Sequence, residues 1–134
     1  MWAATGRVRK SVGCTLCVAK PGEETLDPAD KAAGALPYLV GRLDICWDNI
    51  PAARAKTAEP PRNYMRRIYV DSVVFRQDVL DMCVSVCGTD NVLYGSDYPH
   101  TIGDMAGCLS RVDALPGDVR EKVRGLNAQR IFRL

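Results

Sequence analysis

A short apolar run that delivers an acid as it ends constrains this chain more than any other feature. In Asn91-Val92-Leu93-Tyr94-Gly95-Ser96-Asp97-Tyr98-Pro99-His100, the β-branched and aromatic stretch from Val92 to Tyr94 predicts a short buried strand. Gly95 and Ser96 end that strand, and Asp97 arrives where the chain turns away. Pro99 fixes the exit, because the residue before a proline is pushed out of the helical region. A carboxylate at the carboxyl end of a buried parallel strand stands where α/β barrels put their chemistry. The same stretch holds His100, the single histidine of the chain.

The design occurs twice. Ile68-Tyr69-Val70-Asp71-Ser72 is another compact apolar run ending in an acid. Between the two, residues 76–87 predict a helix that Gly88 stops. Residues 104–115, 117–124 and 127–132 predict three more. From residue 68 the order is therefore β-α-β-α-α-α, which implies parallel pairing with right-handed crossovers. Ahead of it, Leu36, Leu39, Val40, Leu43 and Cys46/Trp47 recur at helical spacing over about 35–48. Ile50-Pro51 stops that helix, and Pro60-Pro61 opens a short one reaching Arg67. Residues 1–30 sustain no period, apart from one strand candidate at Val12 to Val18. The expected organisation is an irregular segment at 1–30 followed by an α/β domain at 31–134.

Composition narrows the function classes. The chain has 134 residues, enough for one modest core. A net charge of +2 is too small to argue for nucleic acid or an anionic membrane. The basic stretch Arg54, Lys56, Arg62, Arg66 and Arg67, facing a lone Glu59, reads as a solvated face. No apolar run approaches the roughly 20 residues needed to span a bilayer, and Met1 to Lys20 lacks the core of a secretory signal. The expectation is a cytoplasmic protein. Of the six cysteines, Cys83 and Cys87 share a helix face with Val79 and read as small core residues. Cys14 and Cys17 have the spacing of a zinc knuckle or redox pair, but a zinc module needs two further ligands that the sequence does not offer.

Taken together, Tyr69-Val70-Asp71-Ser72, the Asn91–His100 stretch, Gly103-Asp104 and Asn127-Ala128-Gln129-Arg130-Ile131-Phe132 resemble the carboxyl end of the amidohydrolase-related family. The likeness is to its aminocarboxymuconate-semialdehyde decarboxylase-like members. Gly34-Ala35-Leu36-Pro37-Tyr38-Leu39-Val40-Gly41-Arg42 fits as well, and the resemblance covers about 31–134. It implies a (β/α)₈ TIM barrel of which this chain holds the last two or three βα units and the carboxyl-terminal helices. It further implies zinc or another divalent metal at the barrel mouth and a small carboxylated or aromatic substrate. The chemistry implied is that of a carboxy-lyase or a hydrolase. By the resemblance, Asp97 ligates or flanks the metal. His100, read from its place in the sequence alone, is a weaker second ligand if the turn after Pro99 curls back. Arg42 reaches a neighbouring subunit's substrate carboxylate, a task suited to a bidentate guanidinium.

The sequence departs from that pattern in its donors. The family's HxH pair and its middle-strand histidine are absent, and Lys31-Ala32-Ala33-Gly34 stands where the family has a histidine. Catalytic zinc takes three protein ligands plus water. The expectation is therefore a chain that is inactive and metal-poor alone, and complemented by an amino-terminal half or assembled into a homo-oligomer. A closed barrel takes roughly 250 residues, so an open sheet edge and an uncovered apolar face are also expected. The abrupt join near residue 30 favours a truncated or frameshifted reading frame. The competing reading is a non-enzymatic interaction domain that assembles through that open edge. The bland alternatives for single residues are a turn-capping acid at Asp97, a solvent-facing loop histidine at His100, and a surface ion pair of Arg42 with Asp44 or Glu59.

Overall fold

The structure is a computed structural model that describes residues 18–19, 35–55 and 57–134. The expectations for the Cys14/Cys17 pair, for Lys31-Ala32-Ala33-Gly34 and for nearly all of the irregular segment at 1–30 lie outside these residues.

Strand β1 (Val18–Ala19) comes first, then α1 (Leu36–Asn49), α2 (Pro51–Arg54) and α3 (Pro61–Met65). Strand β2 (Ile68–Asp71), α4 (Gln77–Cys87) and β3 (Val92–Leu93) form a β-α-β unit. After it run α5 (Met105–Asp113), α6 (Gly117–Glu121), a π-helix (Lys122–Leu126) and α7 (Asn127–Phe132). No helix among the described residues is long and apolar enough to cross a membrane.

The two predicted strands pair in parallel, Val70 beside Val92 and Asp71 beside Leu93. This register brings their carboxyl ends together. The third strand departs from expectation: β1 runs antiparallel to β2, with Val18 beside Tyr69. The sheet, ordered β1-β2-β3, is therefore mixed rather than all-parallel.

Alternation along the strands sends side chains to two faces. On one face Val70 and Val92 join Leu80, Cys83 and Cys87 of α4 with Val112, Leu115 and Val123 in the main core. Leu80, Cys83 and Cys87 recur three and four residues apart, so α4 lays one apolar stripe on the sheet. Gly88 ends that helix at φ 91°. On the other face Tyr69 and Leu93 are buried beneath Ala128 and Ile131 of α7. Both faces of the β2–β3 pair are thus covered, which corrects the expectation of an uncovered apolar face. The helices after β3 fold back over the sheet instead of leaving it bare.

The edges are occupied too. β1 lies along one side of β2. Along the outer side of β3, the Tyr94 amide donates to Val123 O at 2.8 Å, and the buried Asn127 amide nitrogen donates to Val92 O at 2.8 Å. The expected open edge of the β2–β3 pair is absent.

The basic stretch is a balanced surface, as its spacing suggests. Arg62 pairs with Asp44 at 3.2 Å, Arg67 pairs with Glu59 at 2.9 Å and lies over Tyr64, and Arg54 lies over Trp47. Such exposed pairs hold geometry more than they add stability. Here they tie α3 and its approach to α1.

Candidate active site at the strand ends

Parallel register delivers Asp71-Ser72 and Gly95-Ser96-Asp97 to the same end of the sheet. Ser72 is fully buried and fastens the two ends together. Its Oγ accepts a hydrogen bond from the Gly95 amide at 3.1 Å and donates to Gly95 O at 3.4 Å. Gly95 has to lack a side chain at this approach, because a Cβ there would sit 3.0 Å from both Asp71 Cβ and Val73 Cγ2. Serine and glycine together therefore set the spacing between the strand ends.

Two residues beyond this clamp, Asp97 is half-buried with φ 58°, in the left-handed region. Aspartate tolerates that region better than most residues, yet a non-glycine there is uncommon and such positions cluster at functional sites. Its carbonyl accepts from the His100 amide at 2.9 Å, and the Gly103 amide closes on His100 O at 2.9 Å. The Tyr98–Pro99 peptide bond between them is cis. Asp104 N then returns to Ser96 O at 3.0 Å, so residues 96–104 form a loop closed at its base.

Asp104 anchors the far side. It caps α5 by accepting from the Gly107 amide at 2.8 Å, and its other oxygen meets Arg111 at 3.1 Å. The Gly107 hydrogen bond first, and the Arg111 guanidinium second, hold its carboxyl below the usual carboxylate range. Tyr94 reaches the same place and donates from its hydroxyl to Met105 O at 3.1 Å. Burial foremost pushes the Tyr94 hydroxyl up.

Asp71 is the quieter acid. Its Oδ1 accepts from the Val73 amide at 3.1 Å, an Asx turn that carries the chain off β2. Burial, with the charge of Asp71 second, pushes the neighbouring Cys83 thiol up. Cys83 and Cys87 are buried cysteines packed in the core, as their spacing implies.

The remaining candidates lie apart in character. His100 is exposed, and the contact that links it to Asp97 is through backbone. No group of three His, Cys, Asp or Glu side chains converges among the described residues. A catalytic metal centre built on three protein donors therefore does not fit what these residues supply. Arg42 is exposed on α1, and both of its anticipated surface partners are engaged elsewhere, Asp44 by Arg62 and Glu59 by Arg67. Ser72 and Gly95 were not singled out from the sequence as site residues. The signal was present in a serine directly after a strand-ending acid and a glycine at the next strand's end.

Residues 28–134 match the sequence model of the amidohydrolase family. The chain belongs to the amidohydrolase family. Among curated relatives of this chain, the 2-amino-3-carboxymuconate-6-semialdehyde decarboxylase of Dictyostelium discoideum is 28% identical over 93 residues, 68% of this chain and 23% of the relative. Among solved structures, the 5-carboxyvanillate decarboxylase of Sphingomonas paucimobilis superposes with a TM-score of 0.64 at 31% identity, covering 75% of this chain and 31% of that one. The 5-carboxyvanillate decarboxylase of Novosphingobium aromaticivorans, in complex with manganese and 4-hydroxy-3-methoxy-5-nitrobenzoic acid, gives 0.62 at 25% identity, over 75% of this chain and 30% of that one. The chain thus spans about a quarter to a third of the length of these relatives.

Proposed function

We propose that this amidohydrolase-family chain serves carboxy-lyase chemistry on a small carboxylated aromatic acid, contributing Asp97 and one wall of the site rather than a complete metal centre. The observation that carries this reading is Asp97 itself: a half-buried carboxylate in a left-handed conformation at the end of β3, two residues from the Ser72–Gly95 clamp. Its likeness to two 5-carboxyvanillate decarboxylases supports the reaction class. In this reading β2, α4, β3 and α5 are the last βα units of a (β/α)₈ barrel, whose chemistry sits at the carboxyl ends of its strands. An ionised carboxylate accepts hydrogen bonds or ligates a cation and donates nothing. The further donors that a divalent ion such as zinc or manganese requires come from outside the described residues. Arg42, exposed and without an ion pair among the described residues, is the proposed reader of a substrate carboxylate in a neighbouring subunit.

The test is carbon dioxide release from 5-carboxyvanillate with manganese added. The purified chain is assayed alone, and together with the segment of the Sphingomonas paucimobilis decarboxylase that it does not match. The reading expects no release alone, release on mixing, and loss of that release in Asp97→Ala. Release by the chain alone contradicts it, and so does a mixture whose release survives Asp97→Ala. The non-enzymatic alternative is assembly through a sheet edge, in which partner binding survives Asp97→Ala.

A further inference from the structure

We propose that Gly103 is the positioning residue of Asp97: its bare Cα seats the end of the loop against the Asp97 carbonyl and so keeps the backbone of the acid left-handed. The proposal deepens the reading of Asp97 as the acting carboxylate and rests on it. A non-glycine residue at positive φ persists only where its surroundings over-determine it. Upstream of Asp97 the Ser72–Gly95 clamp supplies one hold. The second comes from the loop itself. Two successive turns, the His100 amide on Asp97 O at 2.9 Å and the Gly103 amide on His100 O at 2.9 Å, bring residue 103 back onto residue 97. The Asp104 amide then closes on Ser96 O at 3.0 Å.

The seat has no room for a side chain. A Cβ on Gly103 would lie 2.9 Å from Asp97 O, 3.0 Å from His100 O and 3.1 Å from Asp97 C. All three atoms are backbone, so none can swing aside as the end of a side chain does. Relief requires the Asp97 peptide itself to move. Gly103 does not share the positive φ of Gly88, so its need is for space and not for a special conformation. Gly125 is the contrast, because a Cβ there meets nothing within 4 Å.

Residue 103 is in turn fixed from the core. Asp104 follows it directly, caps α5 through the Gly107 amide and pairs with Arg111. The Arg111 guanidinium also lies over Phe75, in the segment after β2. Helix α5 sinks Cys108 and Val112, both fully buried, into the interior. Contact therefore runs from the interior through α5 and Asp104 to Gly103, and from Gly103 to the backbone of Asp97. Held on both sides, the acid keeps a fixed place at the strand ends, as a group that works at a set distance from a reacting atom must.

NMR on the full chain tests the seat directly. A left-handed residue holds its own amide proton close to its own Hα, which gives a strong intraresidue cross-peak. In the wild type Asp97 shows that cross-peak, and the His100 and Gly103 amides exchange at least about tenfold more slowly than the amide of exposed Thr101. Exchange as fast as that of Thr101 overturns the proposal without any variant. In Gly103→Ala the Asp97 cross-peak weakens and the His100 amide exchanges at least about tenfold faster, while the Leu80 amide in α4 keeps its protection. Gly125→Ala matches the wild type throughout. An unchanged Asp97 cross-peak in Gly103→Ala overturns the proposal, and so does lost protection at Leu80, which makes the glycine a requirement of the whole fold. In the mixed carbon dioxide assay, Gly103→Ala lowers kcat by about 10²-fold and leaves KM unchanged. Release that falls in Asp97→Ala but not in Gly103→Ala overturns the positioning role alone. Release that survives Asp97→Ala overturns the reading of Asp97 instead, and the cross-peak then still decides whether Gly103 sets that backbone.

Discussion

Two acids end two neighbouring parallel strands, and they are put to different uses. Asp71 follows Ile68-Tyr69-Val70 and turns inward on its own chain, where its carboxylate accepts from the Val73 amide. Asp97 follows Val92-Leu93 after a three-residue step, adopts φ 58° and stands in a loop closed between Ser96 and Asp104. The difference lies in what comes next. Asp71 is followed by Ser72, fully buried, and two residues further by Val74 in the core, so the chain is drawn back to the sheet. Asp97 is followed by Tyr98-Pro99-His100, all exposed, so the chain is sent outward and the acid stays at the mouth. Strand-end acids are therefore not equivalent, and the residues after each one decide whether it turns back on its own chain or stands in an outward loop.

The sharpest way to break that contrast is to neutralise each acid in turn. Asp97→Asn keeps the left-handed backbone, which asparagine also tolerates. It is expected to cut carbon dioxide release in the mixed assay by about 10²-fold or more, the size usual for a group acting on the reacting centre. Its melting temperature should stay close to that of the wild type. Asp71→Asn should do the reverse, with little loss of release. An equal loss of release in both variants removes the distinction.

Ser72 comes next in size. Ser72→Ala strips the Gly95 amide of its buried partner and should lower stability by about 2 kcal/mol, measured by urea unfolding. A loss below about 0.5 kcal/mol means that water or a neighbour replaces the hydroxyl, and the clamp is then no clamp. Gly95→Ala tests the same approach from the other strand. Its new methyl meets Asp71 Cβ and Val73 Cγ2 at 3.0 Å, so a destabilisation of about 1–2 kcal/mol is expected by the same measurement. Free accommodation of that methyl means the strand ends are spaced more loosely than described.

The smallest effect concerns pH at the far anchor of the loop. The Gly107 amide and Arg111 favour ionised Asp104, so its folded pKa lies below its ordinary value. The stabilisation it lends to α5 is then complete above the ordinary carboxylate range and is lost as pH falls through the lower folded value. Side-chain carbon NMR should place the Asp104 midpoint below the 3.8 of a free aspartate, and Arg111→Gln should raise it. A midpoint at or above the ordinary value contradicts the anchoring role.

Much of this was legible in the sequence wherever a period was long or punctuation strong. Helix α4 declares itself by Leu80, Cys83 and Cys87 and by its terminal glycine. Strands β2 and β3 declare themselves as apolar runs between helices, and α1 stops at Ile50-Pro51 as its composition implies. The rest depended on contacts distant in sequence. Nothing local to Val18–Ala19 announces an antiparallel partner around Tyr69. The stretch from Gly117 reads as two helices, 117–124 and 127–132, and the structure instead runs α6, a π-helix and α7 without a break. A sign of the sealed edge was available, because Val123, Asn127 and Ile131 fall four residues apart and put one amide in an apolar stripe. A buried polar residue in such a stripe needs partners, and these proved to be carbonyls of Thr89 and Val92, 38 and 35 residues away. At the site, Asp97 was evident as an acid at a strand end, whereas its left-handed backbone and the clamp behind it were not.

Metal stoichiometry measures the central claim most directly. After equilibration of the purified chain with manganese and removal of free ion, elemental analysis should find well under one ion per chain, with no difference between wild type and Asp97→Ala. One tightly held ion per wild-type chain, lost in Asp97→Ala, would contradict the view that this carboxylate awaits donors from elsewhere.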